Sequence, residues 1–71
     1  MITVRVVDRN GNAVANADVH ISWNGTWNHS NGRTNGSGEV SINASPGTGT
    51  ISVNGREIRE MRFSGSDTVS V

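Results

Sequence analysis

The segment Ser22-Trp23-Asn24-Gly25-Thr26-Trp27-Asn28-His29 brings two indoles, two amides, two hydroxyls and an imidazole into eight consecutive residues. An indole face stacks on the apolar face of a pyranose while amide and imidazole groups bond to its hydroxyls, so an exposed tryptophan in this company has the chemistry of a sugar-binding surface. A two-residue turn at Asn24-Gly25 would pair Trp23 with Thr26, Ser22 with Trp27 and His20 with His29. That register points Trp23 into a core and leaves Trp27, His20 and His29 on the outer face. With Asn24 and Asn28 these three form a candidate carbohydrate site. The plainer use of Trp27 is to cover a thin core from one end or to pack against another domain, and in so small a chain that use ranks first.

Other constellations are weaker. His20 and His29 supply two imidazoles, with Asp18 the nearest carboxylate on the same strand face. A closed zinc site needs four ligands and a catalytic one three, so two solvated imidazoles and no metal are expected. Asp8-Arg9-Asn10-Gly11-Asn12 spaces oxygen side chains as the start of a calcium loop does. The bidentate Glu that would end such a loop is replaced by Val19, and the mid-loop Gly is displaced. A plain turn is expected there, with the Asp8 side chain holding backbone N–H groups. Arg56-Glu57-Ile58-Arg59-Glu60-Met61-Arg62 alternates in sign, as a self-paired, solvated edge strand would. Four Asn-x-Ser/Thr triplets begin at Asn24, Asn28, Asn35 and Asn43 and are read as coincidence in an Asn-rich chain.

No Gly-x-Ser-x-Gly elbow is present, and Glu57 and Glu60 lie among three arginines, the opposite of the apolar setting that a general acid requires. The expectation is a non-enzyme without cofactor.

The elements that position these residues follow from alternation. Val4 and Val6 lie on one face of a strand from Ile2 to Val7. Ala17, Val19, Ile21 and Trp23 lie on the inner face of a second, with Asp18, His20 and Ser22 outward. The Asp8–Asn12 turn, with positive φ at Asn10 and Gly11, is expected to join these two as antiparallel neighbours. The polar stretch from Asn24 to Ser37 is too long for simple connection and is expected to contain a short strand. Gly38 to Ala44 and Thr50 to Val53 read as a hairpin around Ser45-Pro46-Gly47-Thr48-Gly49. Asn54-Gly55 is the next tight reversal. Ile58, Met61 and Phe63 break strict alternation, which implies either a bulge near Arg59-Glu60 or two separate strands. Ser64-Gly65-Ser66 then turns into a strand with Val69 and Val71 inward.

Composition agrees with an all-β chain. Of 71 residues, nine are Val and five Ile, while Asn, Gly and Ser number nine each, and Leu, Lys, Tyr and Gln are absent. β-branched residues and turn formers favour strands over helices. A chain of this length buries only roughly 60% of its unfolded surface, and with no cysteine it has no disulfide to compensate. Six to seven short strands at this spacing predict a small antiparallel β-sandwich occupying residues 1–71 as one domain. Six arginines balance six carboxylates, so the net field attracts neither nucleic acid nor an anionic membrane, and neither is an expected partner. No apolar run is long enough to span a bilayer, and Met1-Ile2-Thr3-Val4-Arg5 is unlike a signal peptide. A start directly on a strand suggests a module excised from a longer protein.

With these residues laid out, the chain resembles the transthyretin-like, or carboxypeptidase-regulatory-like, group of Ig-type β-sandwich modules. The residues that carry the resemblance are Val4, Val6, Asp8, Gly11, Val14, Asn16-Ala17 and Val19, with Trp23 closing the second strand. Thr34 and Gly38 before Val40, then Gly49 before Ile51 and Val53, extend it to about Asn54. In particular the chain is similar to accessory domains that follow the catalytic domain in secreted bacterial peptidases and other hydrolases. That resemblance implies a non-catalytic spacer, stabiliser or docking unit of a secreted or surface bacterial protein. Its implied partner is a parent domain in the same chain, it is expected to be monomeric, and a carbohydrate-binding module using Trp27 is the alternative. Two departures stand out. Thr34-Asn35 replaces the group's usual Thr-Asp, and the absence of lysine excludes the Lys-Asn isopeptide crosslink of related adhesin modules.

Overall fold

The structure is a computed structural model that describes residues 1–25 and 27–71. Among the described residues there are seven strands and no helix: β1 (Ile2–Val7), β2 (Asp18–Trp23), β3 (His29–Arg33), β4 (Glu39–Ile42), β5 (Gly47–Val53), β6 (Arg56–Phe63) and β7 (Ser66–Ser70). They form two sheets, ordered β4-β1-β7 and β3-β2-β5-β6. All pairings between these strands are antiparallel except β1 with β7, which is parallel. The inward side chains of both sheets meet in one core of Ile2, Val4, Val6, Val19, Ile21, Val40, Ile42, Ile51, Val53, Phe63 and Val69, with Ala17 at its margin. The chain is therefore the small β-sandwich that its alternation predicts. Val71, expected inward, is instead 38% exposed, because β7 ends one residue earlier.

Two expected hairpins are instead crossings between sheets. β1 has β4 on one edge and β7 on the other, so no edge remains for β2. The turn after β1 does form, with Gly11 at φ 83° but Asn10 outside the positive region. Its return arm pairs with β1 only at the Val7–Ala13 bridge, through the Val14 N–H on the Val6 carbonyl and the Asp8 N–H on the Asn12 carbonyl. Asn16, at φ 57°, then turns the chain towards the other sheet. Likewise β4 pairs with β1 while β5 has β2 and β6 on its two edges, so Asn43–Pro46 links the sheets and does not close a hairpin. Alternation fixes which residues face the core but carries no information about which edge is paired.

The remaining reversals match their sequence signals. Asn54 (φ 54°) and Gly55 (φ 81°) form a two-residue turn between β5 and β6, the conformation for which Asn-Gly is suited. One bulge in β6 lets Ile58 drop out of the ladder, since Ile51 faces Arg59 while Ser52 faces Glu57. The irregularity thus lies one residue before the expected site, and β6 is one continuous strand. It is an edge strand, as expected, but not a self-paired one. Among the described residues the only salt bridge joins Arg33 of β3 to Asp18 of β2, outside β6.

The crossings are held by polar side chains. Asp8 Oδ1 accepts the N–H groups of Asn10 and Asn12, each at 2.9 Å, as the turn chemistry predicts. Thr34, only 2% exposed, accepts the Ala17 N–H on its hydroxyl at 2.8 Å and donates that hydroxyl to the Val14 carbonyl at 2.7 Å. Its own N–H and carbonyl bond to the Ala17 carbonyl and the Asn16 N–H. Asn35 Oδ1 accepts the N–H groups of Ser37 and Glu39, so its amide oxygen holds this turn. Gly38 completes this link: its φ is 75°, and a Cβ there would lie 2.6 Å from the Val6 carbonyl oxygen.

Replacing Thr34 with Val keeps the shape but leaves the Ala17 N–H and Val14 carbonyl without their buried partner. Thr34→Val is expected to lower stability by about 2–4 kcal/mol, while Thr34→Ser retains most of it, as measured by urea unfolding.

Candidate functional site

The site is built where β2 ends and β3 begins. Trp23 closes β2 opposite Gly49, and its six-membered ring passes 3.8 Å from where a Cβ on Gly47 would sit. Its indole meets Phe63 edge-to-face at 5.4 Å, and its Nε1–H donates to Ser30 Oγ at 2.9 Å. Trp23 is thus a half-buried plug at this end of the core with its polar edge satisfied, the inward role its alternation predicts.

The loop beyond it is longer than a two-residue turn. Ser22 faces His29, Ile21 faces Ser30 and His20 faces Asn31, so the register slips by two from the expected one. The expected partner of Trp23, Thr26, lies outside the described residues. A slip of two preserves which side chains share a face. His20 and His29 accordingly remain on the outer face, as diagonal and not direct neighbours, with ring centroids 5.2 Å apart. The loop is closed by the Trp23 N–H on the Asn28 carbonyl at 3.3 Å and by the Asn24 N–H on the Thr48 carbonyl at 3.0 Å. Asn24 Nδ2 donates to Glu60 Oε2 at 2.6 Å, reaching across β5 to β6. Trp27 stands on this loop at 96% exposure, the largest apolar side chain outside the core.

Three of the five candidate residues, Asn24, Asn28 and His29, line one open recess of about 470 Å³ at this end of the sandwich. Its other wall comes from the β4–β5 crossing, Asn43 to Pro46, and the start of β5. Trp27 lies on the loop between two lining residues but is not itself in the lining, and His20 belongs to a different surface, with Asp18, Asn31 and Arg33. The Asn43–Pro46 wall was missed from sequence because the segment reads as an ordinary turn. Only knowledge that β4 and β5 lie in different sheets brings it to the end of β2. No group of three or more His, Asp or Glu side chains that could hold a metal occurs among the described residues.

Compared with protein-family models, curated proteins and solved structures, the chain matches none of them.

The two tryptophans are expected to respond differently to truncation. Trp23→Ala removes a core plug and a satisfied indole and should cost about 3 kcal/mol in urea unfolding. Trp27→Ala should change stability by no more than about 0.5 kcal/mol. Acrylamide should quench the Trp27 emission strongly and that of Trp23 weakly.

Proposed function

We propose that this chain is a non-catalytic accessory module, acting as a spacer, stabiliser or docking unit in a secreted or surface bacterial protein. In this reading it is a transthyretin-like Ig-type sandwich whose partner is a neighbouring domain of the same protein. The observation that carries it is Trp27, an indole held at 96% exposure on a loop whose two ends are fixed by backbone hydrogen bonds. A large apolar group on an anchored polar loop is a contact surface awaiting a partner, since its exposure to water has no offset within the chain. The resemblance in the Val4–Val19 opening and at Thr34, Gly38 and Gly49 supports the accessory role. Those residues set strand faces and crossings and make no reactive centre.

Carbohydrate binding is the second reading. It is favoured by one observation, the amides of Asn24 and Asn28 and the imidazole of His29 around the recess beside the Trp27 loop.

The accessory reading places this chain within a longer protein, and its test is the accessibility of the Trp27 indole in that protein compared with this 71-residue chain alone. The expected result is that Trp27 is quenched several-fold less in the longer protein and that Trp27→Ala loosens the neighbouring domain. Equal quenching in both contexts contradicts a docking role.

A further inference from the structure

We infer that the recess between the β2–β3 loop and the β4–β5 crossing is a binding site for an uncharged saccharide. Asn43 on the crossing supplies its second wall. This inference rests on the carbohydrate reading above and assigns the ligand class and the second wall of the recess.

Charge distinguishes this recess from two others on the surface. The chain carries twelve residues of Asp, Glu and Arg among 71, yet none of them lines it. A second recess, at Val53 to Ile58, includes Arg9, Arg56 and Glu57, and a third includes Asp18 and Arg33. The recess beside Trp23 presents instead the amides of Asn24, Asn28 and Asn43, hydroxyls from Ser30, Ser45 and Thr48, and the His29 imidazole. Amides and hydroxyls both donate and accept, so they match a ligand made of hydroxyl groups and give an anion or cation no charge partner. Between these polar groups lie the Trp23 ring, Ala44 and Pro46, which suit the C–H faces of a sugar ring.

The wall geometry favours a saccharide over a peptide. Peptides dock on such folds by adding a strand to an open sheet edge. Here β2 and β5 are paired on both sides, and among the described residues the one open edge that reaches the recess, that of β3, enters it only at His29 and Ser30, too little for a strand ladder. What the recess offers is side chains, two of them pre-positioned: Asn24 by Glu60, and Ser30 by the Trp23 indole. Asn43 is exposed, and its amide forms no hydrogen bond with the other described residues, so the group is ready for a ligand. Trp27 adds an exposed indole on the loop between the lining residues Asn24 and Asn28.

The test titrates the folded chain with neutral hexasaccharides of β-1,4-linked glucose, xylose and mannose, and with an oligogalacturonate as the charged counterpart, following tryptophan emission and amide shifts. The expected result is binding of at least one neutral hexasaccharide, with shifts at Asn24, Asn43 and Thr48, unchanged within about two-fold between 50 mM and 500 mM salt. Asn43→Ala should weaken it at least about ten-fold, and Trp27→Ala likewise, with urea midpoints unchanged. Binding that needs Trp27 but is indifferent to Asn43→Ala overturns the assigned wall and leaves the carbohydrate reading standing. Tighter binding of the oligogalacturonate overturns the uncharged ligand class and leaves the carbohydrate reading standing, while no shift with any saccharide, or binding of denatured polypeptide alone, overturns both.

Discussion

Thr34 faces Ala17 one step beyond the Asp18–Arg33 end of the β2–β3 ladder, and its hydroxyl ties that ladder to the Val14 carbonyl in the β1–β2 crossing. Six connections link the seven strands described, and four of them pass from one sheet to the other. No two strands of the β4-β1-β7 sheet are consecutive in the chain, so that sheet cannot assemble from local hairpins and depends on where the crossings deliver its strands. Thr34 meets the β1–β2 crossing through Val14, Asn16 and Ala17 while itself starting the β3–β4 crossing. One buried residue therefore sets the spacing of both. Asp8, Asn35 and Asp67 perform smaller versions of the same task within single links. In a chain without disulfides and with a core of mostly valine and isoleucine, these bonds stand where crosslinks stand in other small domains.

The candidate site inherits its form from that arrangement. Because β4 and β5 lie in different sheets, the segment joining them passes over the end of the sandwich and meets the loop that follows β2. Trp23 seals the core beneath, with Phe63 against its ring and Ser30 on its nitrogen. The floor is thus rigid while the rim carries exposed amides and Trp27. Such a division suits recognition: a packed base holds geometry, and the polar rim contributes contacts at small cost to the fold.

Much of this was legible in the residues. Alternation identified β1 to its exact bounds, the inward face of β2 and nearly the whole core, because burial on one face is what a period of two encodes. Asn54-Gly55 gave its turn because only a few residues tolerate two successive positive φ values. Edge pairing was not legible. The Asp8–Asn12 turn and the Ser45–Gly49 segment carry the same residues whether the chain returns to its neighbour or departs for the other sheet. The buried role of Thr34 was equally hidden, since a threonine in a polar stretch reads as surface until its partners 17 and 20 residues away are known. The site was half legible: Trp27, Asn24, Asn28 and His29 drew attention by type, whereas Asn43 depends on topology.

The coupling of the crossings through Thr34 is most directly measured by native-state hydrogen exchange at the Ala17 and Thr34 amides. If these bonds hold the two sheets in register, both amides open only with the whole molecule, with the same free energy as the ladder amides of β2 and the same dependence on denaturant. Exchange of Ala17 and Thr34 through a local opening, several kcal/mol easier and insensitive to denaturant while β2 remains protected, would contradict it.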